Sequence, residues 1–493
     1  MPLIPTRGGA AVAASQAILA GIAPGGGLYV PGAFSSIDRI TLRQMGSEPY
    51  AWRAATVLRT FLDDYTSPEI ASAAEAAYGR FDVPQVAPVR SLGDATHVLE
   101  LFHGPTLAFK DMALQLLPRL TRLAMDKCGE ERELFVLAAT SGDTGKAALE
   151  GFADVPGTRC AVFYPSEGVS QAQRLQMVTQ AGDNTHVIAV RGNFDDAQTG
   201  VKRIFADPLF AAEMDGRGRV LSSANSINFG RLAPQVAYYF SAYADLLASG
   251  AITPGQRIHF AVPTGNFGNI LAAEYARRMG LPVGKLLCAS NSNNVLADFM
   301  RTGVYDARRP FFQTISPSMD ILVSSNLERL LFELCGRDEG WVARWMQAQK
   351  EGQPYDIGPE RLRVLQEGFA AEWVDDQTTR DTIQRVWRDT RYLLDPHTAV
   401  AARALMHYRE RTGDWTPAVI VSTASPFKFG REVARALLGE VAIQGMDDFA
   451  CCDLLADTCN LAVPPAIAQL PSLPVRHDAI IDASAMAEAL RGM

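Results

Sequence analysis

Residues 134–149 read LFVLAATSGDTGKAAL, an apolar run that passes through a glycine-containing turn into a helical pattern. Four further apolar runs, residues 160–163, 187–190, 258–262 and 418–421, also precede helical patterns. Strands that are apolar throughout and are followed by helices indicate parallel sheets whose two faces are both covered. We therefore predict an α/β protein with two doubly wound lobes, each built on a mainly parallel sheet.

The rest of the chain is arranged around these two lobes. Its first part reads as mostly helical, and a charged helical pattern over about residues 300–390 predicts a helical insertion in the second lobe. The predicted units are an N-terminal segment (1–92), a large lobe in two pieces (93–130 and 250–440), a small lobe between those pieces (131–249) and a C-terminal extension (441–493).

The composition excludes several classes of protein. The chain has 493 residues, of which 48% are hydrophobic, and its net charge is −8 from 46 basic and 54 acidic residues. No block of Lys and Arg stands out to replace phosphate counterions, so we predict no nucleic-acid partner. No uninterrupted apolar run reaches about 18 residues, so we predict no membrane span.

The first residues and the cysteines bear on the cellular compartment. The first residues lack a basic region followed by an apolar core, which a secretory signal would show, so a cytoplasmic location is predicted. Seven cysteines in so long a chain do not suggest a disulfide framework. Cys451, Cys452 and Cys459 cluster, but no second Cys or His pair lies at zinc-site spacing. We predict buried free thiols and no metal site.

The turn at residues 140–146 directly follows the first strand and opens a helix. Small residues there let backbone N–H groups approach an anion, and the helix N-terminus adds a favourable dipole. The turn is not a Walker A loop, because Thr140 stands where that motif has Gly and Ala147 stands where it has Ser or Thr. We expect the carboxylate or phosphate of a small substrate at this turn. An ordinary capped helix start is the alternative.

Two further strand ends carry polar turns. Residues 263–269, PTGNFGN, include Gly265 and Gly268, which allow the curvature that aims successive N–H groups at a phosphate monoester. In residues 422–429, STASPFKF, the hydroxyl of Thr423 either enters the same crevice or caps the next helix. Ligands of open α/β sheets bind beyond the carboxyl ends of strands, so the three turns are candidates for one site.

Lys110 lies among apolar and turn-forming residues. It ends residues 103–110, HGPTLAFK, and a mostly apolar helical pattern follows it. A buried lysine loses hydration, its pKa falls, and the neutral amine can attack a carbonyl to form a Schiff base. The alternative is a lysine in the first turn of a buried helix that reaches out to water. An activated amine, a phosphate cup, a second anion loop and a hydroxyl are together what pyridoxal phosphate requires.

At this point the chain resembles a known enzyme family. Its members are the threonine synthases, in particular their longer subgroup, which belong to the tryptophan-synthase-β-like (fold type II) group of pyridoxal-phosphate enzymes. The segments that carry the resemblance are TRG (residues 6–8), GLYVP (27–31), FKD (109–111), SGDTG (141–145), GNFGN (265–269) and STA (422–424). The resemblance covers residues 1 to about 435 in the right order.

The resemblance implies a pyridoxal 5'-phosphate cofactor and gives roles to particular residues. Lys110 would bind the cofactor covalently and, once freed by substrate, carry protons as general base and acid. Thr423 would hydrogen-bond the pyridine nitrogen. The residues expected around the cofactor phosphate are Gly265, Asn266, Phe267, Gly268 and Asn269. Relatives often have Asp where Asn269 stands and His where Ser425 stands, so these two positions depart from the family pattern.

The resemblance also implies the substrate, O-phospho-L-homoserine, which reacts with water to give L-threonine and phosphate. The expected substrate-binding residues are Ser141, Asp143, Thr144 and Lys146 on the first loop, and Ser223, Asn225, Asn228 and Arg231 further along the chain. Arg231 is the natural phosphate clamp because a guanidinium binds two oxygens at once. We hypothesise that Arg231 and Lys146 select the phosphate.

Two alternatives remain open from the sequence. Another fold type II lyase or dehydratase would use the same cofactor, although such enzymes usually have different substrate-loop residues and a shorter chain. A catalytically inactive threonine-synthase-like protein would bind a phosphate ligand only, and the retention of Lys110 and Lys146 argues against it. Whether the protein is a monomer or a homodimer stays open.

Overall fold

A computed structural model describes residues 2–140, 142–167 and 169–493. The strands are β1 (Leu3–Pro5), β2 (Tyr29–Pro31), β3 (Val89–Gly93), β4 (Thr96–Glu100), β5 (Glu133–Ala139), β6 (Thr158–Pro165), β7 (Thr185–Val190), β8 (Arg219–Ser223), β9 (Ile258–Pro263), β10 (Val283–Ser290), β11 (Val304–Tyr305), β12 (Tyr355–Asp356), β13 (Phe369–Trp373), β14 (Ala418–Ser422) and β15 (Ile480–Ile481).

The α-helices connect these strands and cover the sheets. They are α1 (Ala14–Ala20), α2 (Arg39–Met45), α3 (Tyr50–Leu58), α4 (Ser67–Tyr78), α5 (Asp111–Leu114), α6 (Leu117–Cys128), α7 (Asp143–Phe152), α8 (Gln171–Val178), α9 (Phe194–Ala206), α10 (Pro208–Gly216), α11 (Phe229–Ala248), α12 (Gly268–Arg278), α13 (Val295–Thr302), α14 (Leu327–Leu334), α15 (Glu339–Lys350), α16 (Pro359–Gly368), α17 (Asp376–Thr390), α18 (Pro396–Thr412), α19 (Gly430–Leu438), α20 (Asp448–Cys459), α21 (Pro465–Ala468) and α22 (Met486–Arg491).

The larger sheet forms the core of the large lobe. Its strand order is β13-β10-β9-β14-β4-β3, with β3 antiparallel to β4 and the other pairs parallel. Successive residues of β14 enter different cores: Val419 and Val421 lie in one apolar cluster, Ala418 and Ile420 in another. This alternation shows that both faces of the sheet are covered, as apolar parallel strands require.

The second sheet forms the core of the small lobe and is parallel throughout, in the order β15-β7-β6-β5-β8. Phe135 and Leu137 of β5 pack on one side with residues of α9 and α10, while Val136 and Ala138 pack on the other. The predicted fold class, two doubly wound lobes with mainly parallel sheets, is confirmed.

The N-terminal segment and the insertion contain more strand than their patterns suggested. Strands β1 and β2 pair antiparallel among the helices of the N-terminal segment. In the insertion, α14 to α17 are joined by β13, whose residues pair in parallel with residues 286–290 of β10. The sequence FAAEW of β13 is too short and too polar at its end to be told from a helical stretch by pattern alone.

The C-terminal extension contacts both lobes. Helix α20 packs against α19 of the large lobe and against α8 of the small lobe. Further along, β15 pairs with β7, and α22 packs on α9. The domain boundaries stay predictions, but these contacts show that residues 448–491 pass from one lobe to the other. Across the described ranges, no helix is long and apolar enough to span a membrane.

Candidate active site

Lys110 and Thr423 lie on neighbouring segments at the carboxyl edge of the large sheet. The loop that follows β4 runs beside the end of β14, where the N–H of Phe109 donates to the carbonyl of Thr423 at 2.8 Å. The N–H of Ser425 donates in return to the carbonyl of Leu107 at 3.0 Å. These two backbone bonds fix Lys110 at the start of α5, opposite the Thr423 segment.

The amine of Lys110 is held in a polar cluster inside the protein. Its side chain is 11% exposed, and Nζ lies 3.4 Å from Oδ2 of Asp143 and 3.1 Å from Oγ of Ser318. Burial lowers the pKa of Lys110; the carboxylate of Asp143 opposes this effect, and the positive charges of Lys428 and Arg231 add to it. The net result is a lysine whose pKa lies below its usual value, as the sequence predicted.

Asp143 lies between two lysines. Its Oδ1 is 2.8 Å from Nζ of the fully buried Lys428 and accepts a hydrogen bond from Gln173 at 3.0 Å. Lys428 also donates to the carbonyl of Thr106 at 2.8 Å. Burial would raise the pKa of Asp143, but the charges of Lys428 and Lys110 outweigh it and hold that pKa well below its usual value. Asp143 is therefore a carboxylate.

The turn before α12 has the geometry of an anion cradle. Phe267 has a left-handed backbone with φ of 65°, and a Cβ on Gly265 would lie 2.6 Å from the carbonyl oxygen of Ser318. The first helical bond of α12 runs from the N–H of Leu271 to the carbonyl of Phe267. The N–H groups of residues 268–270 therefore have no partner inside the helix, and a phosphate would satisfy them.

Asn269 adds a side-chain donor to this cradle. Its Oδ1 accepts hydrogen bonds from the hydroxyls of Tyr238 and Tyr239, each at 2.6 Å. Its buried Nδ2 has no hydrogen-bond partner among the residues the structure describes. An unpaired buried donor is costly, so a ligand oxygen at this point would be stabilising. The donor set at residues 265–269 fits the phosphate of pyridoxal phosphate.

Thr423 does not cap a helix. The short 3₁₀ helix Pro426–Phe429 begins after Ser425 and has no side-chain cap. The backbone of Thr423 is held on both sides, because its N–H donates to Oγ1 of Thr398 at 3.3 Å and its carbonyl accepts from Phe109. Of the two roles left open by the sequence, the structure leaves the hydroxyl of Thr423 available at the strand end.

The first substrate loop is brought to Lys110 only in part. Ser141 lies outside the described residues, and Thr144 is partly buried in the first turn of α7. Lys146 points its ammonium elsewhere: Nζ lies 3.0 Å from Oε2 of Glu150 and also hydrogen-bonds Oε1 of Gln180. Asp143 is thus the loop residue that the structure places in contact with Lys110.

The second substrate set also divides into two kinds of residue. Ser223 ends β8, and its Oγ accepts from the N–H of Asn225, whose own side chain is exposed. Asn228 caps α11, with Oδ1 accepting from the N–H of Gly230 at 2.8 Å and Nδ2 donating to the carbonyl of Ile18 at 2.9 Å. The side chain of Asn228 is therefore engaged in holding the N-terminal segment to α11.

Arg231 is the polar residue of this set that is both buried and available. It is 4% exposed, its Nη1 donates to the carbonyl of Ala224 at 2.7 Å, and its Nε has no partner within the described part of the chain. Burial lowers the pKa of Arg231 to about 10. A buried guanidinium without a carboxylate, electrostatically coupled to Lys110, is an arrangement that favours an anionic ligand.

Several residues of the site were not predicted. Ser318 touches both Lys110 and Asp143, and its N–H donates to Nε2 of His397 at 3.1 Å. Lys428 lies in the third predicted turn, where a lysine between two phenylalanines was the available signal. Asn326 hydrogen-bonds the backbone of the phosphate cradle, and Arg329 holds Asn326. In the charged helical pattern of α14 nothing distinguished Arg329 from a surface residue.

Family comparisons agree with this geometry. Residues 88–424 match the family described as pyridoxal-phosphate dependent enzyme. A lysine in a polar cluster at the edge of a parallel sheet, opposite a phosphate cradle, is the site of such an enzyme, and the chain is of fold type II. The predicted cofactor, pyridoxal phosphate, is confirmed. Residues 3–78 match the threonine synthase N terminus and residues 398–489 match the threonine synthase C-terminal family.

Individual relatives narrow the class further. Threonine synthase of Pseudomonas aeruginosa is 42% identical over 445 residues, which are 89% of this chain and 91% of that protein. Human threonine synthase-like 1 is 39% identical over 435 residues, 86% of this chain but only 58% of that protein. The structure of threonine synthase from Brucella melitensis with bound pyridoxal phosphate superposes with a TM-score of 0.88 at 35% identity, covering 100% of this chain and 99% of that one. The chain belongs to the threonine synthase family.

Proposed function

We propose that this protein converts O-phospho-L-homoserine and water to L-threonine and phosphate. The observation that carries the proposal is Arg231, a buried guanidinium with no carboxylate partner in the described residues, which lies close enough to Lys110 to influence its charge. A phosphorylated amino acid supplies an anion for this guanidinium, whereas an unphosphorylated amino acid would leave it without one.

The cofactor would be held by groups from three turns. Lys110 would bind it covalently, the N–H groups of the turn at residues 265–269 and Nδ2 of Asn269 would bind its phosphate, and the hydroxyl of Thr423 would accept or donate at the ring nitrogen. When bound, pyridoxal phosphate supplies an electron sink that makes the carbon-bound hydrogens of an amino acid acidic. A neutral hydroxyl beside the ring nitrogen does not enforce its protonation, which moderates that sink.

Lys110 is the group placed to move protons. Its lowered pKa makes Nζ a base that releases its proton readily, and Oγ of Ser318 and Oδ2 of Asp143 lie within 3.1 Å and 3.4 Å to receive or return it. The surrounding apolar and hydrogen-bonded residues leave little room for bulk water, since the Lys110 side chain is 11% exposed. Proton transfer at Nζ is therefore directed by protein groups.

Arg231 would bind the substrate phosphate, with Ser141, Thr144, Ser223 and Asn225 as candidates for the substrate carboxylate. The pairing of Lys146 with Glu150 and Gln180 makes it the weaker member of the hypothesised phosphate pair. Asn228 would act on the substrate only through the position of α11. A cytoplasmic location and a monomeric or homodimeric state remain part of this proposal.

The decisive experiment is a product assay with the purified full chain loaded with pyridoxal phosphate. O-phospho-L-homoserine is the substrate; inorganic phosphate is measured by a coupled assay and threonine by amino-acid analysis. We expect the two products in a one-to-one ratio. Lys110→Ala should release neither product, because the covalent attachment point and the proton carrier are both lost.

The same assay separates the two alternatives. A dehydratase or a cysteine-synthase-like enzyme would turn over L-serine or O-acetyl-L-serine faster than O-phospho-L-homoserine, and that result would refute the proposal. A protein that binds O-phospho-L-homoserine in calorimetry but releases no phosphate would be a binding module. Neither alternative is favoured by the family comparisons.

A further inference from the structure

One carboxylate serves two buried ammonium groups in this site. Oδ1 of Asp143 lies 2.8 Å from Nζ of Lys428, while Oδ2 lies 3.4 Å from Nζ of Lys110. Lys428 is thus the closer partner and Lys110 the more distant one. Asp143 begins α7 in the small lobe, whereas both lysines belong to the large lobe, so the ion pair crosses the boundary between lobes.

Lys110 cannot be the permanent counter-charge of Asp143. Its amine must give up its proton to react, and it is engaged covalently whenever the cofactor is bound. A buried carboxylate left without a cation would take up a proton or cost several kcal/mol. Some other cation must therefore neutralise Asp143 in those states.

Lys428 is fixed in place to do so. Its side chain is fully buried, and its second hydrogen bond, 2.8 Å to the carbonyl of Thr106, ties it to the loop that carries Lys110. Thr106 in turn donates through its N–H and its hydroxyl to Asp111, at 2.7 Å and 2.9 Å. The nearby acid Asp111 is thereby satisfied by Thr106, and Lys428 remains with Asp143.

We propose that Lys428 is a positioning residue that keeps Asp143 ionised and fixed against Lys110 in every state of the Lys110 amine. It does not touch substrate, because no part of its side chain is exposed. Its effect passes through Asp143 and through its charge. The inference deepens the proposed function, since Lys110 is the proton carrier in it, but it holds for any reaction at this lysine.

The charges around Lys110 set the expected direction. Asp143 is the anion that faces it, and Lys428 and Arg231 are the cations; the anion favours the protonated amine and the two cations disfavour it. Replacing Lys428 by a neutral side chain removes one repulsive charge and leaves Asp143 with Lys110 alone. The pKa of Lys110 should then rise, by about one unit or more for a charge at this range.

Competitive labelling of the full chain, prepared without cofactor, measures this pKa directly. Trace acetic anhydride is added between pH 6 and pH 11, and acetylation of Lys110 is quantified by mass spectrometry against the exposed Lys350 as internal standard. We expect the midpoint for Lys110 to rise by about one pH unit in Lys428→Met and to stay near wild type in Lys428→Arg. In Asp143→Asn it should fall.

A second comparison covers the case in which Lys428→Met fails to fold because Asp143 is left unpaired. Asp143→Asn and the double variant Asp143→Asn/Lys428→Met contain no unpaired carboxylate, and their folding is checked by circular dichroism. Between these two, loss of Lys428 should again raise the midpoint of Lys110. If Lys428 served only as packing, melting temperatures would change but the midpoints would not, and unchanged or lowered midpoints in both comparisons would overturn the proposal.

Discussion

Arg231 at the start of α11 and Arg329 in α14 are both buried, and burial lowers the pKa of each to about 10. Their surroundings differ. Arg329 donates to the carbonyl of Tyr29 at 2.8 Å, to the carbonyl of Ile227 at 2.5 Å and to Oδ1 of Asn326. Arg231 makes one such bond, to the carbonyl of Ala224, and its buried Nε has no partner in the described ranges.

The difference shows how one residue type serves two purposes. The three bonds of Arg329 join the N-terminal hairpin, the second substrate loop and the residue that holds the phosphate cradle, so its guanidinium is used by the protein itself. The guanidinium of Arg231 is only partly used, which leaves donors for a ligand. A fully hydrogen-bonded buried cation indicates a structural role, and a partly bonded one indicates a binding site.

The largest effect should come from Arg231→Met. Truncating one partner of a buried charge pair costs about 2–5 kcal/mol, so kcat/KM for O-phospho-L-homoserine should fall by roughly a thousandfold, mainly through KM. The free energy of unfolding should change by less than about 1 kcal/mol, since removal of a buried, unpaired charge offsets the lost hydrogen bond. Steady-state kinetics and urea unfolding check both parts. Unchanged KM would remove Arg231 from the site.

Arg329→Met should show the opposite pattern. It leaves the carbonyls of Tyr29 and Ile227 and the amide of Asn326 without their donor, and each buried unpaired group costs about 1–3 kcal/mol. We expect a loss of about 3 kcal/mol or more in the free energy of unfolding, measured by urea denaturation followed by circular dichroism. Arg231→Met is the matched control, with the same substitution at equal burial. Equal stability of the two variants would erase the comparison.

Sequence reasoning reached the fold because its signal is local. Apolar runs such as residues 134–139 and 418–421 can be recognised within a few positions, and each became a central parallel strand. The edge strand β13 was missed, since the sequence FAAEW of residues 369–373 carries little period-two pattern. The short strand β15 has two residues and exists only because it pairs with β7.

The site shows the same limit more sharply. Lys110, Thr423 and the cradle at residues 265–269 follow strands, so topology alone brings them to one edge. The partners of Lys146 and of Lys428 come from other segments: Gln180 lies 34 positions from Lys146, and Thr106 lies 322 positions from Lys428. A lysine in the sequence does not reveal which carboxylate it meets. For that reason Lys146 was included in the site and Lys428 was not.

A smaller effect, in melting temperature, tests the same contrast without turnover. Inorganic phosphate at about ten times its dissociation constant should stabilise the cofactor-loaded protein by about 1.4 kcal/mol through binding to the native state, which corresponds to roughly 1–3 °C for a chain of this size. The shift should vanish in Arg231→Met and persist in Arg329→Lys. Sodium chloride at equal ionic strength is the control for screening. A shift that survives in Arg231→Met would place the phosphate elsewhere.

The smallest effect should come from Lys146→Met, and it decides which cation accompanies Arg231. The ammonium of Lys146 is held by Glu150 and Gln180, and removing it leaves Glu150 paired with Arg80, whose Nη2 lies 2.5 Å from Oε1. A partly exposed ion pair of this kind is worth about 0.2–1 kcal/mol, so kcat/KM should fall by less than about fivefold. Lys146→Arg, which keeps the charge, should be close to wild type in the same kinetic assay. A loss in Lys146→Met that approaches that of Arg231→Met would mean that substrate draws Lys146 away from Glu150, and the phosphate pair hypothesised from the sequence would then be correct.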